Sequence, residues 1–395
     1  MPATERPILL TGATGFVGMT VLARLLAEGC EVHCLIRAAN DAEADTRLRS
    51  VLARVQAPDT GRAVAVAGDI TSPQLGLSDA AHTRMADSIG SVIHSAASVS
   101  FDLPIEEARA INVHGTHRVL DLARKVPDLE RFTYVSTAYV AGERRGTVYE
   151  DDQDAGVFRN SYERSKHEAE AMVRSSGLPW TVTRPSIIVG ERETGWTATF
   201  NVLYAPLRAL GAGAYPVIPA RRRAPLDVVP IDYVADAVVA LSMHPEAVAG
   251  TFHLTAGEHA STIGEVGEMA VEGLDRHAPR LVPPRIYRRI VHPLVVRRVT
   301  PSTRRLLERS EVYFPYFAMR QHFDSARSTA LLEPLGVAPS PLPEYFGRLM
   351  EFARAARWGR RPLDRAEAAE LVGVSLDVRA PALSSPRRAA AAPVR

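Results

Sequence analysis

Tyr162 and Lys166 stand four residues apart in the run NSYERSKHE (160–168), so on a helix they share one face. A free tyrosine, with a pKa of about 10, is a poor acid or base at neutral pH. An ammonium one turn away stabilises phenolate and brings the hydroxyl toward the working range. The spacing alone is common by chance. Its meaning comes from position, downstream of the run YVSTAYV (134–140), which begins as a strand. Thr137 falls just past that strand's end, at the carboxyl edge where open α/β sheets bind ligands. Its hydroxyl can donate to a carbonyl oxygen and hold it beside Tyr162. Ser136 is the alternative donor, and ordinary loop capping is open to both. The chemistry of such a set is acid–base work at a carbonyl group.

A second group of residues supplies a partner for that chemistry. Residues 11–18 read TGATGFVG, directly after the expected strand Pro7–Leu10 and before a helix running to about Glu28. Gly12 permits a tight turn, Gly15 lets backbone approach a pyrophosphate, and Gly18 lets helix and strand pack closely. The helix N-terminus then offers free N–H groups and a positive dipole end to phosphates. The G-x-x-G-x-x-G spacing is one residue wider than the G-x-G-x-x-G fingerprint, and dinucleotide binding is its reading here. The second strand ends CLIR, which places Arg37 where an NAD-binding protein usually carries a carboxylate. A guanidinium there pairs with a 2′-phosphate, so NADPH is expected over NADH. A solvated surface arginine, with Asp41 nearby, is the alternative. Asp69, closing the third strand, meets the adenine edge or caps its loop. Together the two groups describe hydride transfer to a carbonyl.

Positioning them requires a regular frame. Strands are expected at Pro7–Leu10, Glu31–Ile36, Ala63–Ala67, Ser91–His94, Phe132–Val135 and Thr181–Thr183, with helical patterns between them, notably Glu106–Val126 and Tyr162–Ser175. This alternation implies an α/β fold, a Rossmann-like doubly wound parallel sheet with helices on both faces. After about residue 190 proline and glycine interrupt the rhythm. A Rossmann domain of residues 1–194 plus 225–255 is therefore expected, with a smaller, mostly helical C-terminal substrate lobe of 195–224 plus 256–375. Leu226–Leu254 reads as a return to the sheet. The Ala/Pro/Arg/Ser-rich residues 376–395 read as a disordered tail.

Composition narrows the class further. Apolar residues make up 46% of 395 and charged residues 23%, which fits a globular chain with a large core. Cys30 and Cys34 are the whole cysteine complement, so a disulfide framework is excluded and a reducing cytoplasm is the expected setting. Both read as small buried hydrophobes. The N-terminus lacks the pattern of a signal peptide, and no apolar run reaches the roughly 18 residues of a membrane span. His94 stands alone and reads as structural. No H-E-x-x-H, paired C-x-x-C or histidine cluster occurs, so no metal is expected.

The net charge of +2 hides a local excess. Arginines 276, 280, 285, 288, 289, 297, 298, 304, 305 and 309 face one opposing carboxylate, Glu308, within Arg276–Arg309. Ile286, Tyr287, Ile290, Leu294, Val295 and Val296 interleave with them, as in amphipathic helices. The candidate partners are an acidic acyl carrier protein, the phosphates of coenzyme A, or an anionic membrane surface touched peripherally. A solvated helical face is the plainer reading. Nucleic acid is not expected, since no binding motif accompanies the charge.

Glycine turn, basic strand end, Ser-Thr hydroxyls and Y-x-x-x-K occur here in the order found in extended short-chain dehydrogenase/reductases. INVHGT (111–116), TRPSIIVG (183–190) and VVPIDYVADAV (228–238) resemble that superfamily too, over about residues 6–260, with an echo at HFDSARSTALLEPLG (322–336). The resemblance implies a catalytic set of Thr137, Tyr162 and Lys166. It adds Asn112 as the support of a proton-relay water, a residue whose spacing alone marks it as an ordinary helix position. For the cofactor it implies a lining of Gly12, Thr14, Gly15, Phe16, Val17 and Gly18. Arg37, Asp69, Ile70, Ala96 and Pro185 complete it, and Lys166 holds the ribose. IHSAASVSFD (93–102), YVSTAYV and RPSIIVGERETG (184–195) are similar to thioester reductases and fatty acyl-CoA reductases. That branch implies NADPH reduction of an acyl thioester, free or carrier-bound, or of an aldehyde. A hydroxysteroid-type dehydrogenase or a nucleotide-sugar epimerase or dehydratase on the same scaffold is the first alternative. Arg37 argues against epimerases, which usually retain NAD. A non-catalytic NADP sensor is the second alternative, and the intact Tyr162–Lys166–Thr137 set argues against it.

Overall fold

The computed structural model describes residues 6–57, 61–154, 156–200, 202–213, 217–275, 277–291, 304 and 312–376. Its central sheet has seven strands: β1 (Ile8–Thr11), β2 (Val32–Ile36), β3 (Ala63–Ala67), β4 (Ser91–His94), β5 (Arg131–Val135), β6 (Trp180–Pro185) and β7 (Gly250–Leu254). They lie in the order β3-β2-β1-β4-β5-β6-β7, and every neighbouring pair is parallel. The order reverses between β1 and β4, which opens a crevice beyond their carboxyl ends.

Strands buried on both faces explain the unbroken apolar runs seen in the sequence. Leu9, Val92 and Phe132 pack on one face with Met85 of α3 (Asp79–Ser88), Val119 of α4 (Ile105–Ala123) and Val173 of α5 (Ser161–Arg174). Ile8 and Leu10 pack on the other with Leu22 of α1 (Phe16–Ala27), Leu48 of α2 (Asp41–Val55) and Val238 of α7 (Ile231–Met243). The alternation of Ile8, Leu9 and Leu10 between the two faces is the strand period of two. An ion pair of 2.7 Å between Arg24 and Asp236 adds to the contact between α1 and α7.

Within the expected return to the sheet, only Gly250–Leu254 joins the seven strands. Val228–Pro230 pairs instead with Ile187–Val189, just beyond β6, and α7 follows it. The lobe carries α6 (Tyr204–Gly211) and α8 (Ile263–Leu274), and it also holds short strand pairs. Val217–Pro219 pairs with Arg280–Val282, and Pro225–Leu226 with Ser261–Thr262. Tyr204, Leu207, Val266, Phe346 and Leu349 form its core. Farther along, Leu332, Leu335, Phe352 and Leu363 join the core that contains α1 and α7. Gln321–Phe323 also pairs in parallel with Gly146–Val148, in the segment after β5. Among the described residues no helix is long and apolar enough to cross a membrane. Cys30 and Cys34 are buried and form no disulfide.

Candidate active site

The glycine turn leaves β1 at Thr11 and enters α1. Gly12 has φ +80°, the left-handed region, and a Cβ on it would lie 2.6 Å from the Ala96 nitrogen. A Cβ on Gly18 would overlap the carbonyl of Gly12. Both positions therefore require glycine for close backbone approach. Gly15 caps α1 without a side-chain acceptor for the first-turn N–H groups, which include those of Phe16, Val17 and Gly18. Thr14 and Gly15 are exposed at the lip. Ala96 is held against the turn by its N–H, which donates to Thr11 Oγ1 at 3.2 Å. This cradle fits a pyrophosphate.

His94 explains itself as a brace beneath the turn. Its Nδ1 meets Thr11 Oγ1 at 2.7 Å and its Nε2 meets Thr116 Oγ1 at 3.0 Å. Thr116 donates to the Asn112 carbonyl, so the bonding pattern assigns the ring proton to Nε2. Burial, and secondarily the charge of Lys166, push His94 down to about 3, so it is neutral.

Tyr162 lies in the first turn of α5, whose N-cap Asn160 accepts from the Glu163 N–H at 2.9 Å. Thr137, just past the carboxyl end of β5, donates to the Pro185 carbonyl at 3.4 Å, and its hydroxyl is near enough to Tyr162 to favour the phenolate against burial. Thr137 and Tyr162 thus lie near one another at the carboxyl edge of the sheet. Ser136 is turned elsewhere: it is buried and donates to Glu170 at 2.6 Å, inside an ion-paired network with Arg184.

Lys166 departs from the expected arrangement. Its Nζ donates to the Val135 carbonyl at 2.7 Å and lies 4.1 Å from the centre of the Tyr134 ring. Burial lowers it to about 7 against the opposing pull of Glu170, so it carries only part of its charge at neutral pH. Tyr162 is correspondingly raised to about 12 by burial, despite the nearby Thr137 hydroxyl. Lys166, turned to the Val135 carbonyl, is not among the groups that act on Tyr162 here, and burial sets the direction of its shift. A phenol held protonated can donate a hydrogen bond to an oxyanion and gives up its proton only to a strongly basic oxygen.

Asn112 is buried and committed to its neighbours. Its Nδ2 donates to the Ser98 carbonyl at 3.1 Å and to Ser165 Oγ at 2.9 Å, while its Oδ1 accepts from the Ser98 N–H at 2.8 Å. It therefore ties the loop after β4 to α5. Arg109 on α4 adds a two-pronged pair to Glu168. Asp69 caps its own loop, with Oδ1 accepting from the Thr71 N–H and hydroxyl, both at 2.8 Å. Ile70 beside it packs over Gly115 on α4.

Arg37 is exposed at the end of β2 and makes no side-chain hydrogen bond or ion pair among the described residues. Asp41, which could have neutralised it, accepts from the Ala67 N–H at 3.0 Å instead. Arg47 of α2 donates to the Arg37 carbonyl and brings a second guanidinium to the same corner. Nothing in its spacing singled out Arg47.

A second unforeseen feature is aromatic. Phe101 stacks on Tyr162 with ring centres 5.6 Å apart, and Tyr316 of the lobe stacks on Phe101 at 5.5 Å. The Tyr316 hydroxyl donates to Glu163 Oε1 at 2.7 Å, and Glu163 is also paired with Arg159. Residue 316 is far from 162 in sequence, so only the fold brings them together. Of the arginine-rich segment, residues 276, 292–303 and 305–311 lie outside the described residues, as do 377–395 of the expected tail. Ile286 and Ile290 are exposed. No group of His, Cys, Asp and Glu suited to a metal occurs among the described residues.

Residues 10–238, more than half the chain, match the NAD-binding family model described as "Male sterility protein". The chain belongs to this family. Its relatives include a putative fatty acyl-CoA reductase of Drosophila melanogaster, 25% identical over 70% of this chain and 60% of the fly protein. Another is a carboxylic acid reductase of Segniliparus rugosus, 32% identical over 61% of this chain and 23% of that protein. The chain thus spans less than two thirds of either relative. Among solved structures, the terminal R domain from the myxalamid PKS-NRPS biosynthetic pathway is similar, with a TM-score of 0.78 and 28% identity over 92% of this chain and 95% of that one. Members of this family are NAD(P)-binding oxidoreductases of the extended short-chain dehydrogenase/reductase superfamily.

Proposed function

We propose that this protein is an NADPH-dependent reductase of acyl thioesters, with Tyr162 as the proton donor. The observation that carries the reading is placement: Thr137 just past the carboxyl end of β5, Tyr162 in the first turn of α5, and the glycine turn at the carboxyl end of β1 all lie on one edge of the sheet. The turn and the first-turn N–H groups of α1 would hold the pyrophosphate, and Arg37 with Arg47 the 2′-phosphate. The dinucleotide supplies hydride when bound.

The remaining work falls to the chain's own groups. Thr137 and Tyr162 hold the carbonyl oxygen, and their hydroxyls stabilise the negative charge that grows on it as the carbon becomes tetrahedral. Tyr162, kept protonated by burial, gives its proton to that oxygen. The resulting hemithioacetal then collapses, releasing thiol and aldehyde. Lys166, one turn along α5 from Tyr162, is held against the Val135 carbonyl and lowered by burial to about 7. Free acyl-CoA and a carrier-bound acyl group present the same thioester, and either serves as substrate in this reading. The names of the relatives, a fatty acyl-CoA reductase and a carboxylic acid reductase, support it. The test is NADPH oxidation with a panel of acyl-CoAs, aldehydes, sterols and sugar nucleotides. Thioester-dependent oxidation that yields aldehyde is expected, and oxidation with sterols or sugar nucleotides alone would overturn the reading.

A further inference from the structure

Tyr316 of the lobe reaches both elements that carry the reacting hydroxyls, and the chemistry above gives it no task. It is buried, and its ring stacks on Phe101, which in turn stacks on Tyr162, with ring centres 5.5 and 5.6 Å apart. An edge contact with Tyr139, at 5.2 Å and a right angle, ties the same ring to the turn that begins at Thr137. The Tyr316 hydroxyl donates to Glu163 Oε1 at 2.7 Å and accepts from Asn160 Nδ2 at 2.9 Å. Asn160 caps α5 and Glu163 follows Tyr162, so these two bonds hold the helix on both sides of the reacting tyrosine.

Stacked and edge-on aromatic pairs have preferred geometries, so they fix direction as well as distance. The Glu163 carboxylate is buried and also paired with Arg159 at 3.1 Å, which keeps it from following a displaced ring. Arg159 in turn reaches Gln321 at 3.0 Å, and the Gln321 amide donates to the Gly142 carbonyl at 2.7 Å, where the turn holding Tyr139 ends. An aliphatic side chain in place of Tyr316 would fill much of its space and lose the stack, the edge contact and both hydrogen bonds. From this arrangement we propose that Tyr316 is a positioning residue for the reaction, which holds Tyr162 in place beside Thr137 through Phe101 and the α5 cap. Two hydroxyls that share one carbonyl oxygen must be placed closely, and a misplacement of about 1 Å can cost a factor of about 100 in rate. The proposal rests on the reading of Tyr162 as the reacting hydroxyl, and not on which carbonyl compound is reduced.

Three variants separate positioning from packing. Tyr316→Phe keeps both ring contacts and loses the hydrogen bonds, Tyr316→Leu loses both, and Phe101→Leu breaks the stack at a half-buried position. With octanoyl-CoA and NADPH, kcat should fall by at least about tenfold in the two leucine variants and by less in Tyr316→Phe. The KM for NADPH should hold, because the glycine turn is untouched. In a Tyr162→Phe background the same changes should cost little more, since the hydroxyl they position is gone. Should Tyr316→Leu fail to fold, Phe101→Leu carries the same kinetic test. A second readout needs no turnover. In protein carrying isotope-labelled tyrosine, the NMR signal of the Tyr162 ring, assigned by its loss in Tyr162→Phe, should move in Tyr316→Leu, although Tyr316 does not itself stack on Tyr162. If wild type reduces no thioester and that signal moves, the anchoring of Tyr162 stands and the activity reading fails. Wild-type kcat in both leucine variants, a loss just as large in the Tyr162→Phe background, or an unmoved Tyr162 signal overturns the inference.

Discussion

Removing the Arg37 guanidinium should cost NADPH affinity and leave NADH affinity alone. The side chain is exposed at the end of β2 and is not engaged by Asp41, whose carboxylate is bonded to the β3 backbone. A hydrogen bond to a charged group contributes about 1.5–3 kcal/mol, and exposed pairs fall toward or below the low end of such ranges. Arg37→Ala should therefore weaken NADPH binding by about tenfold. Arg47, bonded to the Arg37 carbonyl, keeps one guanidinium at the corner. The double variant Arg37→Ala/Arg47→Ala should lose more than either single change, and less than their product if the two share one phosphate. Arg37→Asp should go further and favour NADH, because a carboxylate repels the phosphate and accepts from ribose hydroxyls. Fluorescence titration of each variant with both cofactors, at low and high salt, measures these effects. The wild-type gap between cofactors should narrow with salt. Equal wild-type affinity for the two, or an equal loss of both in Arg37→Ala, would refute the assignment.

Other expectations are more local. Tyr162→Phe should lower hydride transfer by at least about 100-fold, the scale of a lost general acid, while its ring keeps the Phe101 stack and cofactor binding survives. Near-wild-type turnover would remove Tyr162 from the chemistry. Gly18→Ala should abolish cofactor binding or folding, since its Cβ overlaps the Gly12 carbonyl, and a stable variant that binds NADPH normally would contradict the packing described. His94 and His253, lowered by burial to about 3 and about 4, stay neutral while unfolded histidines protonate near 6.5. The stability they contribute is complete above pH of about 6.5 and is lost as pH falls toward 4 and then 3. NMR of His94 should show no titration between pH 8 and 5, and a midpoint near 6.5 would refute its burial.

Features set by a few neighbouring residues were legible in the sequence. The glycine turn needed only TGATGFVG between a strand and a helix, and its glycines stand where backbone crowds backbone. The alternation of strands and helices was enough for a parallel, doubly wound sheet, while the order of its seven strands is seen only in the structure. Thr137 and Tyr162 lie near one another because one ends a strand and the other begins the next long helix. Side-chain direction was less legible. Ser136 and Thr137 are adjacent, yet one serves Glu170 and the other Tyr162, a division fixed by what packs behind β5. Lys166 lies on the expected face of α5 but finds the Val135 carbonyl, and burial, invisible in a four-residue spacing, reverses the expected shift of Tyr162. Long-range pairings were not legible at all. Nothing in the run VYFPYFAM shows that Tyr316 stacks on Phe101 and bonds Glu163.

The most direct test of Tyr162-dependent thioester reduction follows the hydride itself. The protein is incubated with NADPH carrying deuterium at the transferable position and with an aliphatic acyl-CoA, and the product is read by mass spectrometry. Aldehyde bearing deuterium on its carbonyl carbon is expected, together with one equivalent of free thiol, at a rate at least about 100-fold lower in Tyr162→Phe. Cofactor that binds but transfers no deuterium to any acyl thioester, or equal transfer by wild type and Tyr162→Phe, would contradict it.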